Sequence, residues 1–491
     1  MVPEFGKLPH SAPSGYAETV GIAPEREPKV EERITRLALQ TGFQALRNWI
    51  ALLTVCLAGV TCPAQEQDRA TAAADRQAML QTLGIQDLRP PVSQKTANYD
   101  EKRANLSPGL PDPLVLDNGR PVRTAAQWGQ QRRPELLELF SREVLGRVPA
   151  NAPRVDWKIV QQSQEMVAGI PATTKHLAGQ VDNSGYPALE VSIDLLVVTP
   201  AAAHRPVPLV MEVAFSAATM STIGRYFPEM LPGGIGNEGP SWQEQVLRRG
   251  WGYAVLQPTS FQEDSPLGLR RGLIGLTSHG QPRHPDDWGA LRAWAWGGSR
   301  AMDYFETDPA IDARHVAIEG HSRFGKTALV AMATDPRFAV AYISSAGTGG
   351  DKLYRHIYGE QLENLAGAGS WHWMAGNFLK YAGPKTVADL PVDAHELIAL
   401  CAPRPVFIGV GSATAGDAWA DPTGEFQAAV AAGPVYRLLG AHDLGTPQMP
   451  AMETGLTQGE LAFRQHRFGH TPGPNWPVFL DFAARYLQPG K

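Results

Sequence analysis

The sequence predicts an α/β fold in which helices cover both faces of a mostly parallel sheet. Short, continuous apolar runs rich in β-branched residues recur from residue 191 onward, as expected of strands that are buried on both faces. Helical patterns separate several of these runs, which indicates βαβ units. In addition, a serine flanked by glycines stands where one predicted strand meets a helix. These three observations favour an α/β domain with a reactive group at the edge of its sheet.

The composition is that of a globular protein. The chain has 491 residues, 43% hydrophobic and 19% charged, so it can bury a large core and is too apolar to be disordered. Its formal net charge is -5, and its 44 Lys and Arg residues are spread along the chain rather than gathered into a basic stripe. Because nucleic-acid binding depends on clustered cations, we expect no nucleic-acid partner.

One long apolar run lies near the N-terminus, from Trp49 to Val60, and a small-residue stretch ending at Ala64 follows it. The run is too short to span a bilayer comfortably and has the layout of an export signal, with a buried helix as the alternative. We therefore expect residues 1–64 to form an extension with an export signal. The mature protein would be periplasmic or secreted, free of the membrane, with Cys401 as its remaining cysteine.

The predicted elements follow in order along the rest of the chain. Residues 65–110 form a polar segment with a short helix around 69–83, and residues 111–491 form the catalytic domain, which opens with a helix over 125–144. Strands are predicted at 191–198, 207–213, 253–256, 316–318, 340–343, 406–410 and 435–439. Helices are predicted over 288–305, 327–333 and, at the C-terminal end, 476–487.

The most informative segment is Val316–Leu329, which reads V-A-I-E-G-H-S-R-F-G-K-T-A-L. A strand leads through Ser322 directly into a helix, the layout of the nucleophile elbow of α/β-hydrolases. Such a turn raises the hydroxyl above the sheet at a helix N-terminus, where backbone N–H groups can stabilise an oxyanion. Phe324 stands where G-x-S-x-G has its second glycine, and Gly325 follows one residue later. A serine that only caps the helix is the alternative.

A serine nucleophile needs a histidine to take its proton and a carboxylate to orient that histidine; in α/β-hydrolases the chain order is serine, acid, histidine. His470, on a loop before the terminal helix, is the predicted base, with His442 as the alternative. The loop after the predicted strand 406–410 carries Asp417 and Asp421. We favour Asp417 as the acid, because Asp421 precedes a proline and can simply start a turn or helix.

These motifs resemble those of the glucuronoyl esterases of carbohydrate esterase family fifteen. The elbow of that family reads G-C-S-R-x-G-K, and residues 320–326 read G-H-S-R-F-G-K, which differs at the cysteine alone. The heptad also accounts for the displaced glycine. The resemblance extends over roughly Pro111 to Leu487, with further family-like segments at 359–360, 371–378, 395–405 and 417–422.

The resemblance implies roles for four more residues. Arg323 would hold the oxyanion beside a backbone amide, while Lys326, Glu360 and Trp419 would contact the sugar ring of the glucuronoyl group. The chemistry suits these roles, since an ammonium donates to hydroxyls, a carboxylate accepts from them, and an indole offers a flat apolar face. The alternatives are a solvated helix charge for Lys326 and a buried loop anchor for Trp419.

Two departures from the family pattern are visible. Many members carry a glutamate acid where this chain has Ser345, so the acid must come from elsewhere, and Asp417 lies on a loop that some bacterial-type members use. The elbow cysteine, which forms a disulfide near the catalytic histidine in fungal members, is His321 here, and Thr471 follows His470. The sequence therefore resembles the bacterial type.

Together these features predict a monomeric serine esterase that cleaves 4-O-methyl-glucuronoyl esters between lignin and glucuronoxylan through an acyl-enzyme on Ser322. An acetyl xylan esterase on the same fold is one alternative, and a noncatalytic carbohydrate-binding protein is another. We expect no metal or organic cofactor, since the sequence has no H-E-x-x-H motif, no cysteine cluster and no G-x-G-x-x-G after the early strands.

Overall fold

The structure is a computed structural model that describes residues 63–104, 109–216, 219–221 and 239–488, with the side chains of 63–67 left out. The residues from Asp68 onward form one compact unit. Residues 1–62, which include the apolar run of the predicted export signal together with Cys56 and Cys62, lie outside the described residues. Within the described part, no helix is both long enough and apolar enough to cross a bilayer.

A ten-stranded, mostly parallel sheet organises this unit and confirms the predicted fold class. Strands β4, β5, β6, β7, β8 and β10 run parallel to one another, whereas β1, β2 and β3 add an antiparallel extension beside β5 and the short β9 pairs antiparallel with β10. In spatial order the strands are β1 (Val155–Val167), β2 (Ile170–Val181), β3 (Ser192–Pro200), β5 (Gly252–Gln257), β4 (Val207–Val213), β6 (Ile311–His321), β7 (Val340–Ser344), β8 (Val406–Val410), β10 (Leu461–Gln465) and β9 (Gly455–Leu456).

Helices cover both faces of the sheet. The helix α2 consists of the consecutive segments Ala125–Gln127, Trp128–Arg132, Arg133–Phe140 and Ser141–Leu145, the second and fourth of which are π-helical. The other helices are α1 (Pro63–Thr82), α3 (Trp242–Arg248), α4 (Pro258–Phe261), α5 (Gly272–Thr277), α6 (Ala290–Phe305), α7 (Arg323–Thr334), α8 (Leu362–Ala366), α9 (Ala394–Ala399), α10 (Pro422–Leu438) and α11 (Trp476–Ala483). Short 3₁₀ turns are found at Glu101–Arg103, Pro266–Arg270, Trp371–Trp373, Gly376–Ala382, Val387–Asp389, Ala413–Ala415 and Gly473–Asn475.

The apolar core is divided by the sheet. A large cluster packs α2, α6, α7, α9 and α10 against one face, and a smaller cluster packs α3 and α11 against the other. Every residue of β7 and β8 is buried, which explains why their sequences are continuous apolar runs. Because the parallel strands share one direction, their carboxyl ends bring the loops after β5, β6, β7, β8 and β10 together at one edge.

The predicted strand at 435–439 is wrong, because these residues end the helix α10. The side chain of Asp421 caps that helix by accepting from the N–H of Gly424, Pro422 occupies its first turn, and several alanines follow. A short apolar run does not distinguish a strand from a buried helix turn. The strand that precedes the His470 loop is β10, which the sequence analysis missed, as it missed β1 and β2.

Two carboxyl groups lie side by side on neighbouring central strands of the sheet. Glu212 of β4 and Glu319 of β6 are register partners on neighbouring parallel strands. Glu319 is 1% exposed, and neither carboxyl oxygen has a hydrogen-bond partner among the described residues. Burial, together with the nearby charge of Glu212, raises the pKa of Glu319 well above its ordinary 4.5.

We predict that Glu319→Gln stabilises the protein at pH 8. The raised pKa means that the wild type loses stability as the pH rises from 4.5 through the folded-state pKa, by about 1.4 kcal/mol for each unit of displacement. The amide does not titrate, so the gain should grow over that interval and vanish near pH 4.5. Urea unfolding at several pH values measures it. The exposed Glu165→Gln serves as the control, and an equal gain in that control would contradict the prediction.

Candidate active site

Ser322 lies at a strained turn between β6 and α7. Its backbone has φ 58° and ψ -128°, a conformation that L-residues rarely adopt. The turn requires Gly320, because a Cβ atom there would lie 2.1 Å from the carbonyl oxygen of Phe324. The N–H of Ser322 donates to the carbonyl of Ser344 over 2.8 Å, so β7 holds the turn from the side.

The displaced glycine of the elbow has a structural cause. A Cβ atom on Gly325 would lie 3.0 Å from the Cβ of Ala346 and from two backbone oxygens, so α7 passes close to the sheet at this residue. Phe324, at the position of the usual second glycine, is buried against Phe215 and Trp294, with ring centroids 4.6 and 5.5 Å away. A large side chain at this position therefore anchors α7 in the core.

His470 and Asp417 lie together beside the elbow. The Nδ1 atom of His470 is 2.6 Å from Oδ1 of Asp417. The ring of His470 is 32% exposed, and its centroid lies 4.3 Å from that of His321, the residue before Ser322. Of the two histidines considered, the structure brings His470 to the elbow, whereas His442 is 84% exposed and pairs with Glu460.

Asp417 is fully buried and its carboxylate is held by several donors. Oδ2 accepts hydrogen bonds from the hydroxyl of Ser345 and the N–H of Gly411, both at 2.7 Å. Burial alone would raise the pKa of Asp417, but the charge of His470 and the hydrogen bonds from His470, Ser345 and Gly411 outweigh it and lower that pKa. The carboxyl group therefore stays ionised, as a group that orients an imidazole must.

Asp421 occupies a different environment. Its Oδ2 lies 2.6 Å from Nδ1 of His356, and its Oδ1 caps α10. The structure therefore assigns the two aspartates of this loop to two different histidines, which sequence reasoning alone could not do. Ser345, at the position where many family members carry a glutamate, donates to Asp417 itself.

The buried Lys326 pairs with Glu360, which is partly buried. The ammonium group of Lys326 donates to the carbonyls of Ala346 and Thr348, both at 2.6 Å, and to Oε2 of Glu360 at 3.1 Å. These contacts use its three donors. Trp419 is half-buried and joins this group through its carbonyl, which accepts from the N–H of Glu360 over 3.0 Å. The three residues predicted to contact the sugar thus form one connected cluster.

Arg323 lies at the first position of α7, where its guanidinium meets groups that the sequence analysis did not predict. Its NH1 is 2.5 Å from Oδ2 of Asp264, and its Cζ lies 5.2 Å from the ring centroid of Trp373 and 5.7 Å from that of Phe215. No motif marked Asp264. The sequence feature that could have marked Asp264 as a site residue is its position on the loop after β5, at the carboxyl edge of the sheet.

His321 replaces the cysteine of the family heptad. Its Nδ1 lies 3.0 Å from the hydroxyl of Ser344, and its ring packs on His470. Burial and the neighbouring charge of His470 hold the pKa of His321 well below its usual value, so the ring is neutral. A neutral ring can support His470 without repelling the positive charge that a base acquires.

The sheet order and the serine turn after the strand β6 define an α/β-hydrolase. Comparison with known proteins narrows this class. A family model described as "Glucuronyl esterase, fungi" matches residues 283–440. Carbohydrate esterase MZ0003, from an unknown prokaryotic organism, is 33% identical over 415 residues, which cover 80% of this chain and 93% of that protein.

Solved structures agree with this result. A glucuronoyl esterase from Teredinibacter turnerae T7901 is 45% identical, covers 84% of this chain and 99% of its own, and gives a TM-score of 0.79. A glucuronoyl esterase from Solibacter usitatus is 32% identical, covers 79% of this chain and 100% of its own, and gives a TM-score of 0.69. The chain belongs to the glucuronoyl esterases of carbohydrate esterase family 15, and it is an esterase, as the heptad predicted.

We predict that Gly320→Ala destroys the elbow. The new methyl group meets backbone rather than a mobile side chain, so we expect a loss of at least about 2 kcal/mol in the free energy of unfolding and a loss of esterase activity. Gly325→Ala, whose nearest neighbours lie at 3.0 Å, should cost less. Gly129→Ala in α2, where the added carbon has open space, is the control. Equal unfolding free energies for all three variants would refute this explanation.

Asp417→Asn and Asp421→Asn form a matched pair, since each aspartate is buried and bonded to a histidine Nδ1 at 2.6 Å. We predict that Asp417→Asn lowers kcat on the order of 10²- to 10⁴-fold, because an amide cannot stabilise the imidazolium or fix its tautomer. Asp421→Asn should lower thermal stability and leave kcat within a few fold. Ester hydrolysis and thermal unfolding of both variants test this, and the reverse pattern would make Asp421 the functional acid.

Proposed function

We propose that this protein hydrolyses esters of 4-O-methyl-glucuronic acid through an acyl-enzyme on Ser322. The observation that carries the proposal is the grouping of His470 and its buried partner Asp417 beside the serine turn. His470 takes the proton of the Ser322 hydroxyl as the oxygen attacks the ester carbonyl, and Asp417 stabilises the imidazolium. The same histidine returns the proton to the departing alcohol. It then activates the water that releases the acid.

The negative charge that develops on the carbonyl oxygen requires donors. We expect backbone N–H groups at the N-terminus of α7 and the guanidinium of Arg323, the residue after Ser322, to supply them, since α7 begins directly after the serine. Charged donors in a partly enclosed site form stronger hydrogen bonds than neutral ones. Because these donors act on charge that is present in the transition state, they raise kcat rather than ground-state binding.

The acid part of the substrate is proposed from the cluster of Lys326, Glu360 and Trp419. A carboxylate fixed by a buried ammonium group can accept from sugar hydroxyls, and the half-buried indole offers an apolar face to a pyranose ring. A fungal relative from Wolfiporia cocos, 26% identical over 397 residues, is named 4-O-methyl-glucuronoyl methylesterase 1. The natural substrate would then be a lignin ester of glucuronoxylan, which lies outside the cell, and the predicted export signal fits that location.

The first experiment compares hydrolysis of benzyl glucuronate with that of an aryl acetate by the wild type and by Ser322→Ala. We expect serine-dependent turnover that strongly favours the glucuronate. Trp419→Ala should lower kcat/KM for the glucuronate on the order of 5- to 10-fold, through loss of the aromatic platform, and change acetate hydrolysis less than twofold. A preference for acetate would identify an acetyl esterase, and turnover of neither ester would favour a noncatalytic carbohydrate-binding protein.

A further inference from the structure

The side chain of Arg323 is long and 39% exposed, so it can adopt several orientations unless its neighbours hold it. It must be held in one orientation if it is to donate to an oxyanion as soon as that charge develops. Asp264 and the rings of Trp373 and Phe215 do this from three sides. A guanidinium is planar, and fixing one of its amino groups while rings lie near its carbon sets the direction of the remaining N–H donors. The residue that holds this amino group, Asp264, therefore helps to set the direction of the other N–H donors of Arg323.

Asp264 is itself held in place by two donors other than Arg323. Its Oδ1 accepts from Nε2 of His372 at 3.0 Å and from the indole N–H of Trp373 at 2.6 Å. Its Oδ2 is left for Arg323. The carboxylate thus connects the loop after β5 to the 3₁₀ turn Trp371–Trp373 and to the elbow.

The charges in this cluster are well defined. Burial would raise the pKa of Asp264, but the hydrogen bond from His372, the charge of Arg323 and the hydrogen bond from Trp373 together hold that pKa well below its usual range. Burial lowers the pKa of His372, so its ring is neutral and donates through Nε2. Asp264 is therefore an anion that faces the guanidinium and two neutral donors.

We propose that Asp264 is a positioning residue for ester hydrolysis, which acts by orienting the guanidinium of Arg323 toward the carbonyl oxygen of the substrate. This inference rests on the proposed function and adds a residue to it. The orientation is set before the substrate arrives, so little reorganisation is needed as charge develops. Asp264 does not touch the reacting atoms, and its effect should disappear when Arg323 is absent.

The experiment is a double-mutant cycle of Asp264→Asn and Arg323→Ala, with kcat and KM measured for each variant. Asp264→Asn keeps the shape of the side chain and removes the charge that pairs with the guanidinium. We expect it to lower kcat on the order of 10- to 100-fold with KM within about twofold, since an oxyanion contact is made in the transition state. In the Arg323→Ala background the same change should lower kcat less than twofold.

A merely structural role predicts a different result. If Asp264 only holds the turn Trp371–Trp373, its loss should lower kcat by the same factor with and without Arg323, and that outcome overturns the proposal. Trp373→Phe is the matched control, because it removes one donor to Asp264 but keeps an aromatic ring near Arg323. It should lower kcat less than Asp264→Asn does, and a larger loss would also contradict the proposal.

The cycle uses whichever of the two esters the wild type hydrolyses, so an error in the assigned acid group does not affect it. Wild-type protein that hydrolyses neither ester would overturn the proposed function, and this proposal with it, before any variant is compared. If hydrolysis depends on Ser322 but the kcat losses of Asp264→Asn and Arg323→Ala simply multiply in the double variant, the proposed function stands and the role of Asp264 is rejected. The two failures are therefore distinguishable.

Discussion

The candidate site depends on one turn, in which Ser322 adopts a strained backbone conformation with positive φ between the strand β6 and the helix α7. The conformation is unfavourable for a serine and persists because β6, β7 and α7 surround it. Gly320 is required where the chain folds back onto Phe324, and Gly325 lies where α7 comes close to the sheet. Any change that relaxes these contacts moves the hydroxyl and the helix N-terminus together, so the proposed nucleophile and the proposed oxyanion donors depend on the same turn.

Around this turn the protein places charges in pairs. Lys326 with Glu360 and Arg323 with Asp264 are each enclosed at least in part by the fold. A buried pair costs desolvation on both sides and often adds little stability, but loss of one member leaves an uncompensated charge. We attribute these pairs to the need for fixed geometry, because a site that must meet developing charge gains from groups that cannot rotate away.

The sequence predicted those parts of the fold where local pattern and burial agree. The strands at 207–213, 340–343 and 406–410 are continuous apolar runs because the sheet is covered on both faces, and the elbow is recognisable because strand, serine, glycine and helix are contiguous. The strands β1 and β2 carry polar residues on exposed surfaces and therefore show no such run. The mostly apolar residues 435–439 fit a strand as well as a helix, and the capped helix that begins at Pro422 continues into them.

The candidate site, like the fold, could be predicted only in part from the sequence. Motif and chain order led to Ser322 and His470, which the structure brings to one edge, but the choice between Asp417 and Asp421 depends on a loop conformation that no local pattern encodes. Asp264 was missed because its partners lie about 60 and 110 residues away in the chain. A sequence can show which side chains are able to react, whereas the side chains that orient them are found through tertiary contacts.

The ring contact between His321 and His470 has a consequence for how the protein is made. Here two imidazole rings form one wall of the site: His321 stands where the family heptad has its cysteine, and its ring lies against that of His470. Within the described residues the single cysteine, Cys401, is a buried free thiol. Contact between two imidazoles involves no sulfur, so the wall beside His470 forms without a change in the redox state of any thiol.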